Sequence, residues 1–281
     1  MAPKRVAKAG GVPRIGQLRT VLEVLEAFRL HRKEFTPNAL GTLWSTIGKL
    51  VRNSDELQLL SDPERLVMLD ELAVDTESAL RIFNTRQLAT TLSGMAGLHE
   101  CGAWRGEALW AKMAALSRQY VHAMSPQELS MTAHSFAKAG RRESALFDAI
   151  ATAAVAWLHD FAPQDLASTA WAFAVADHPA PALFDDGAFV ARLCAAERGF
   201  CPAALAQLHQ WQLWREERCA EWPSLPPDFA LLCSNAFSGD EGALTFTLTL
   251  TLTLTLTLTL TLTLTLTLTL TLFLSLSLTL S

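Results

Sequence analysis

Along most of this chain, large apolar residues recur three and four positions apart, the spacing that gathers them on one face of an α-helix. From Ile15 to about His31 the series Leu18, Val21, Leu22, Leu25 and Phe28 predicts an amphipathic helix. A second pattern lies above the first. The stretch FAPQDL from Phe161 to Leu166 sets a large apolar residue two places before Pro163 and an anchoring leucine three places after it. The same frame reads FTPNAL from Phe35, MSPQEL from Met124 and FCPAAL from Phe200, and a copy without proline reads FNTRQL from Phe83. The anchoring leucines fall at 40, 88, 129, 166 and 205, so the spacings are 48, 41, 37 and 39 residues. A period near forty marks stacked helical pairs that bury their apolar faces only against neighbours.

The elements follow from this frame. Thr36-Pro37 starts a helix whose buried face is Leu40, Leu43, Trp44 and Ile47, because threonine accepts from free helix-start amides and proline at the first helical position loses no needed donor. A partner helix is expected near Pro63 to Leu72, followed by a short segment from Thr76 to Phe83. The second unit pairs Thr85–Gly97 with Trp104–Ala123. The third opens on the capping box Ser125 to Glu128, stops at Gly140, and pairs with Glu143–His159. The fourth pairs Pro163–Ala176 with Ala182–Ala196 across the turn from His178 to Pro181. A divergent fifth copy carries Trp211, Leu213 and Trp214, and a last short helix spans about Asp228 to Phe237, as a terminal cap requires. The expected fold is all-α: an α-solenoid of four to five helical hairpins over residues 21–237, between a basic, disordered terminus (1–20) and a low-complexity tail (238–281).

Composition changes this picture at both ends. Residues 1–20 carry Lys4, Arg5, Lys8, Arg14 and Arg19 and no acid, while the remainder holds 18 basic and 28 acidic residues. An acidic body argues against gripping nucleic acid by bulk charge. Thr247 to Leu272 is thirteen uninterrupted Thr-Leu pairs. Such alternation is a strand signal, uncharged and free of proline, and an aggregation hazard. A dipeptide repeat implies a hexanucleotide repeat, and ACC-CTA is telomere-like; the tail is read as a frame running into simple sequence rather than a functional element. Five scattered cysteines (101, 194, 201, 219, 233) without a C-x-x-C pair read as reduced thiols.

Chemistry-bearing motifs are absent. Gly41 to Lys49 lacks the spacing and the following Ser or Thr of a phosphate-cradling loop, the seven histidines show no H-E-x-x-H, and no G-x-S-x-G occurs. Asp185-Asp186 complements a helix start. No catalysis, metal, cofactor or small-molecule substrate is expected, and outside the tail no apolar run is long enough for a membrane span.

The runs PQDLASTAWAFA at 163–174 and PQELSMTAHSFAKAG at 126–140, with ALFDAI at 145–150 echoed by ALFD at 182–185, resemble the repeats of octotricopeptide-repeat proteins and the related FAST-kinase-like leucine-rich repeats. LAQLHQWQLW at 205–214, closing at Trp222, is similar to the stretch that precedes the RAP domain of such proteins. The likeness covers about residues 35–237. It implies an organelle RNA-binding factor, of mitochondrion or chloroplast, acting in maturation, stability or translation of transcripts. Where the RAP domain would begin, the Thr-Leu tract begins, so the nuclease-like activity proposed for that domain is expected to be missing. Candidate RNA contacts are the cations nine and twelve residues after the anchors, Lys49 and Arg52 and then Lys138 and Arg141, with Arg142 beside them and Trp171 as a stacking surface. The more general account of these cations is that lysine and arginine favour helix C-termini through the dipole. The acidic body keeps open a protein–protein scaffold, and the tail keeps open a truncated gene fragment; for either, a cytoplasmic location is the alternative.

Overall fold

A computed structural model describes residues 13–238 of the chain. Most of the basic terminus and the whole Thr-Leu tract lie outside the described residues. Every regular element among them is helical: α1 (Val21–His31), α2 (Pro37–Leu50), α3 (Ser54–Leu59), α4 (Pro63–Ala79), α5 (Thr85–Glu100), α6 (Glu107–Tyr120), α7 (Pro126–Lys138), α8 (Ser144–Ala156), α9 (Pro163–Ala176), α10 (Pro181–Phe184), α11 (Ala188–Ala196), α12 (Pro202–Arg218) and α13 (Pro227–Ser238), with short 3-10 turns between several of them.

The recurring frame has a local physical cause. Thr36, Asn84 and Ser125 are N-caps whose side chains accept from a backbone N–H three residues on, and Asn84 with Gln87 and Ser125 with Glu128 complete capping boxes. The large apolar residue of the frame therefore stands just before the cap, and the anchoring leucine at the fourth helical position. That is the spacing of a hydrophobic staple, which fixes the angle at which the chain enters each helix. Phe83, Met124 and Phe161 are buried, as are all five anchors.

The helices that carry the anchors pack in chain order, α2 on α5, α5 on α7, α7 on α9 and α9 on α12, and α13 closes against α12. A second layer, α4, α6, α8, α10 and α11, covers the other side of their apolar faces. The first-layer helices pack on one another more extensively than those of the second layer, and we term the first layer the inner one. The core runs unbroken from Ile15 to Cys233.

Several elements differ from the expected ones. Residues 54–59 form α3, which periodicity does not announce in so short a piece. The partner helix α4 runs on to Ala79 and absorbs the first half of the segment expected to be separate, the rest being a 3-10 turn over Leu80–Ile82. Its inner side is held by Trp44, whose Nε1 donates to Thr76 Oγ1 at 2.9 Å while Thr76 donates in turn to Leu72 O. Its outer side is held by ion pairs from Arg29 of α1 and Arg32 just after it to Glu64, Glu71 and Asp75. The helix expected over 182–196 is two, α10 and α11, because Gly187 takes φ 79° between them. Gly187 is the N-cap of α11, and Asp186 just before it accepts from the Ala188 N–H at 2.9 Å. Gly140, at φ 64°, is the expected left-handed stop after α7.

The C-terminal end is fastened by a buried cation. Arg215 of α12 is 4% exposed and donates from Nη1 to the carbonyls of Ala220 and Trp222, pinning the segment that leads into α13. No described helix is long and apolar enough to cross a membrane.

Candidate nucleic-acid interface

In each first-layer helix the anchoring leucine is buried in the core, so the positions two before it and two, five and nine after it share the stripe on the far side. Apart from Gly97, which lies against α2, and Trp171, which is engaged by α7 and α12, no described element covers that stripe. On α2 it reads Asn38, Thr42, Ser45 and Lys49; on α5, Arg86, Thr90, Ser93 and Gly97; on α7, Gln127, Met131, His134 and Lys138. On α9 it reads Gln164, Ser168, Trp171 and Val175, and on α12 Ala203, Gln207, Gln210 and Trp214. The inner face is thus dominated by amides and hydroxyls, with few charges.

At its C-terminal half the stripe deepens into a groove of about 290 Å³ lined by Glu100, His134, Lys138, Trp171, Gln207 and Gln210. The His134 ring lies 4.7 Å from the Trp171 ring at 32°. Trp171 Nε1 donates to Gln210 Oε1 at 2.7 Å. One turn earlier, Gln164 Nε2 and Ser168 Oγ both donate to Gln207 Oε1, at 3.2 and 3.3 Å. Trp214 Nε1 donates to Asp177 Oδ1 at 2.9 Å, and Arg218 pairs with the same carboxylate at 3.3 Å. These bonds all span neighbouring repeats, so the inner layer is tied together at its surface as well as through its core.

The structure brings some of the candidates together and separates others. Lys138 and Trp171 both line the groove, but Lys138 Nζ is held by Glu100 at 2.7 Å. Arg52 lies near enough for its charge, with that of Lys138, to act on His134. Lys49 and Arg52 are exposed and make no ion pair among the described residues. Arg141 points away from the stripe: it pairs with Glu107 at 2.7 Å and stacks its guanidinium 5.0 Å from the Trp110 ring. Arg142 is exposed beside it. Trp171, 9% exposed, is engaged on its face by His134 and at its N–H by Gln210. Sequence reasoning missed His134, Arg86, Gln207 and Gln210. The signal was present as the offsets of two before, and two and five after, each anchor.

Burial, with the nearby charges of Lys138 and Arg52, pushes the His134 imidazole down to about 4, and Glu100 opposes this only in part. The folded chain therefore holds His134 neutral, whereas the unfolded chain binds its proton near the ordinary 6.5. The stability this group contributes is complete above about pH 6.5 and is lost as pH falls from there toward 4. Urea unfolding near neutrality and near pH 4.5 is expected to show a smaller acid-induced loss in His134→Gln than in the unsubstituted chain, by on the order of 1–3 kcal/mol. Equal losses would remove His134 from the account.

Among the described residues no group of His, Cys, Asp and Glu could hold a metal ion. Neither a protein-family model nor a curated protein matches this chain.

Proposed function

We propose that this chain is an α-solenoid of four to five helical-hairpin repeats that binds single-stranded RNA along its inner stripe, without catalysing a reaction on it. The observation that carries the reading is the register of that stripe. Side chains able to hydrogen-bond base edges recur at the same offsets on successive first-layer helices, as they would on a strand read one segment per repeat. Lys49, Arg52 and Arg86 lie on or beside the same side and supply contacts for phosphates, with Arg142 farther along. The resemblance to octotricopeptide-repeat proteins adds the setting: transcripts of a mitochondrion or chloroplast, and a role in their maturation, stability or translation.

Because so few cations are available, the bulk-charge part of the affinity is expected to be small. Titrating the chain into labelled random single-stranded RNA across a salt series is expected to give a log-linear loss of affinity with a slope of about −2 to −3, corresponding to some three or four phosphate contacts. A second reading is a protein scaffold of the same architecture. It is favoured by the acidic balance of the body and by the way Glu100 and Glu107 occupy Lys138 and Arg141. Absence of RNA binding at low salt would select the scaffold.

A further inference from the structure

We propose that Gln207 and Gln210 present a pair of amide donors at the end of the groove, and that this pair selects guanine over adenine; the inference rests on the RNA reading above. An indole N–H can only donate. The amide atom of Gln210 that lies 2.7 Å from Trp171 Nε1 is therefore the oxygen, and the Gln210 NH2 group is turned away from it. Gln207 lies at the end of a longer chain of bonds. The Cys201 thiol donates to Gln164 Oε1 at 3.4 Å, Gln164 Nε2 donates to Ser168 Oγ at 3.0 Å and to Gln207 Oε1 at 3.2 Å, and Ser168 Oγ donates to Gln207 Oε1 at 3.3 Å. Both glutamine carbonyls are thus occupied by neighbours on α9.

The polar atoms of the two side chains that have no protein partner among the described residues are their NH2 groups. Positions 207 and 210 are three residues apart on α12, so the two groups stand side by side on one face. Both residues are half-buried in the groove wall, where a mismatched polar partner would be left without water. The complementary base edge has two adjacent acceptors and no donor. Guanine offers this in O6 and N7, whereas adenine sets its N6 amino group beside N7 and would face donor with donor. Phosphate oxygens are also acceptors, but they are common to every nucleotide and would give no base preference.

The test uses the full chain and fluorescently labelled RNAs of about twelve nucleotides, within the length such single-strand sites take: oligoadenylate, oligocytidylate, oligouridylate and an alternating adenylate–guanylate strand, in lithium buffer to suppress guanine self-association. The alternating strand is expected to bind at least about fivefold more tightly than oligoadenylate, the lower end of what a well-made base-edge pair discriminates. Gln210→Glu keeps an acceptor for Trp171 but replaces the outward donor by a carboxylate oxygen, and the ratio is expected to fall to about one or below. Gln210→Met removes the donor without adding charge and is expected to collapse the same ratio, which separates loss of base reading from charge repulsion. Equal binding of all four RNAs would overturn the proposal and assign the donors to phosphate, and a variant that weakens every RNA by the same factor would overturn it as well. If no RNA binds at low salt, the RNA reading itself falls and takes this inference with it.

Discussion

Gly94→Ala is expected to lower the unfolding free energy by about 3 kcal/mol, the upper range for forcing an extra methyl into a closed contact. The reason lies between α2 and α5, whose backbones cross at Gly48, Gly94 and Gly97. A Cβ on Gly94 would strike the carbonyl group of Trp44 and the amide of Ser45, which are backbone atoms of a helix and cannot swing aside. A Cβ on Gly48 would lie 2.8 Å from the Gly94 Cα, and one on Gly97 would lie 2.6 Å from the Gly48 oxygen. The only relief is to separate the two helices, and this also loosens Trp44, Leu43 and Leu92 in the core beneath. On propensity alone the substitution would gain roughly 1 kcal/mol, since alanine is the better helix former. The signs are therefore opposed, and urea unfolding decides between them. Gly41→Ala is the graded comparison, because its Cβ would meet Thr91 Oγ1 at 3.3 Å, a side-chain atom that can give. A neutral or stabilising Gly94→Ala would mean that α2 and α5 do not approach as described.

This crossing shows where the sequence stops being legible. The helix starts could be read because their causes are local: a cap, a proline and an apolar staple all lie within six residues. Gly140 could be read as a stop for the same reason. The glycines on α2 and α5 could not, because a glycine inside a helical pattern is ordinarily a cost, and its use appears only when a second backbone lies against it. Similarly, α4 was expected to be too short. Its face is diluted by Asp70, Asp75 and Glu77, and Val67 and Val74 point to solvent, so its apolar period fades after Leu72. The helix continues because Arg29 and Arg32, some forty residues earlier, neutralise its acids, and because Thr76 meets Trp44. No window of the sequence contains both partners.

The groove was legible only in part, for the same reason. Trp171 and Lys138 fall on the stripe because the repeat register puts them there. That Lys138 meets Glu100, or that Arg141 turns back to Glu107 and Trp110, depends on how far each repeat is rotated against the next. The unrecognised glutamines are more instructive. Amides at two and five residues after an anchor look like ordinary solvated positions until the neighbouring helix supplies Trp171 and Ser168 to orient them.

Phe184→Ala is expected to cost about 4 kcal/mol, within the range for deleting a buried phenyl ring, and to do so unevenly along the chain. Phe184 is fully buried although it sits on α10, a helix of only four residues. Its ring centroid lies 5.5 Å from Phe173 of α9, 4.8 Å from Phe189 of α11, 5.6 Å from Trp211 of α12 and 6.2 Å from Trp222 of the closing segment. One side chain thus joins α9, α10 and α11 to α12 and the segment that leads into α13. So short a helix cannot hold its own position, and removing the ring leaves a cavity that α10 can relax only by leaving its neighbours. In a stack where each unit touches only the next, a loss at one junction is felt first by the units it joins. Native-state hydrogen exchange is therefore expected to show the amides of α12 and α13 losing protection well before those of α5 and α7. Leu231→Ala, on the same end of the chain but 61% exposed, is expected to change stability by less than about 0.5 kcal/mol. A uniform loss of protection from α2 to α13 would show that the array unfolds as one body. In that case the repeats are units of sequence and packing but not of stability, and coupling along the inner layer, through α2–α5 and the ties from α9 to α12, outweighs the cut at Phe184.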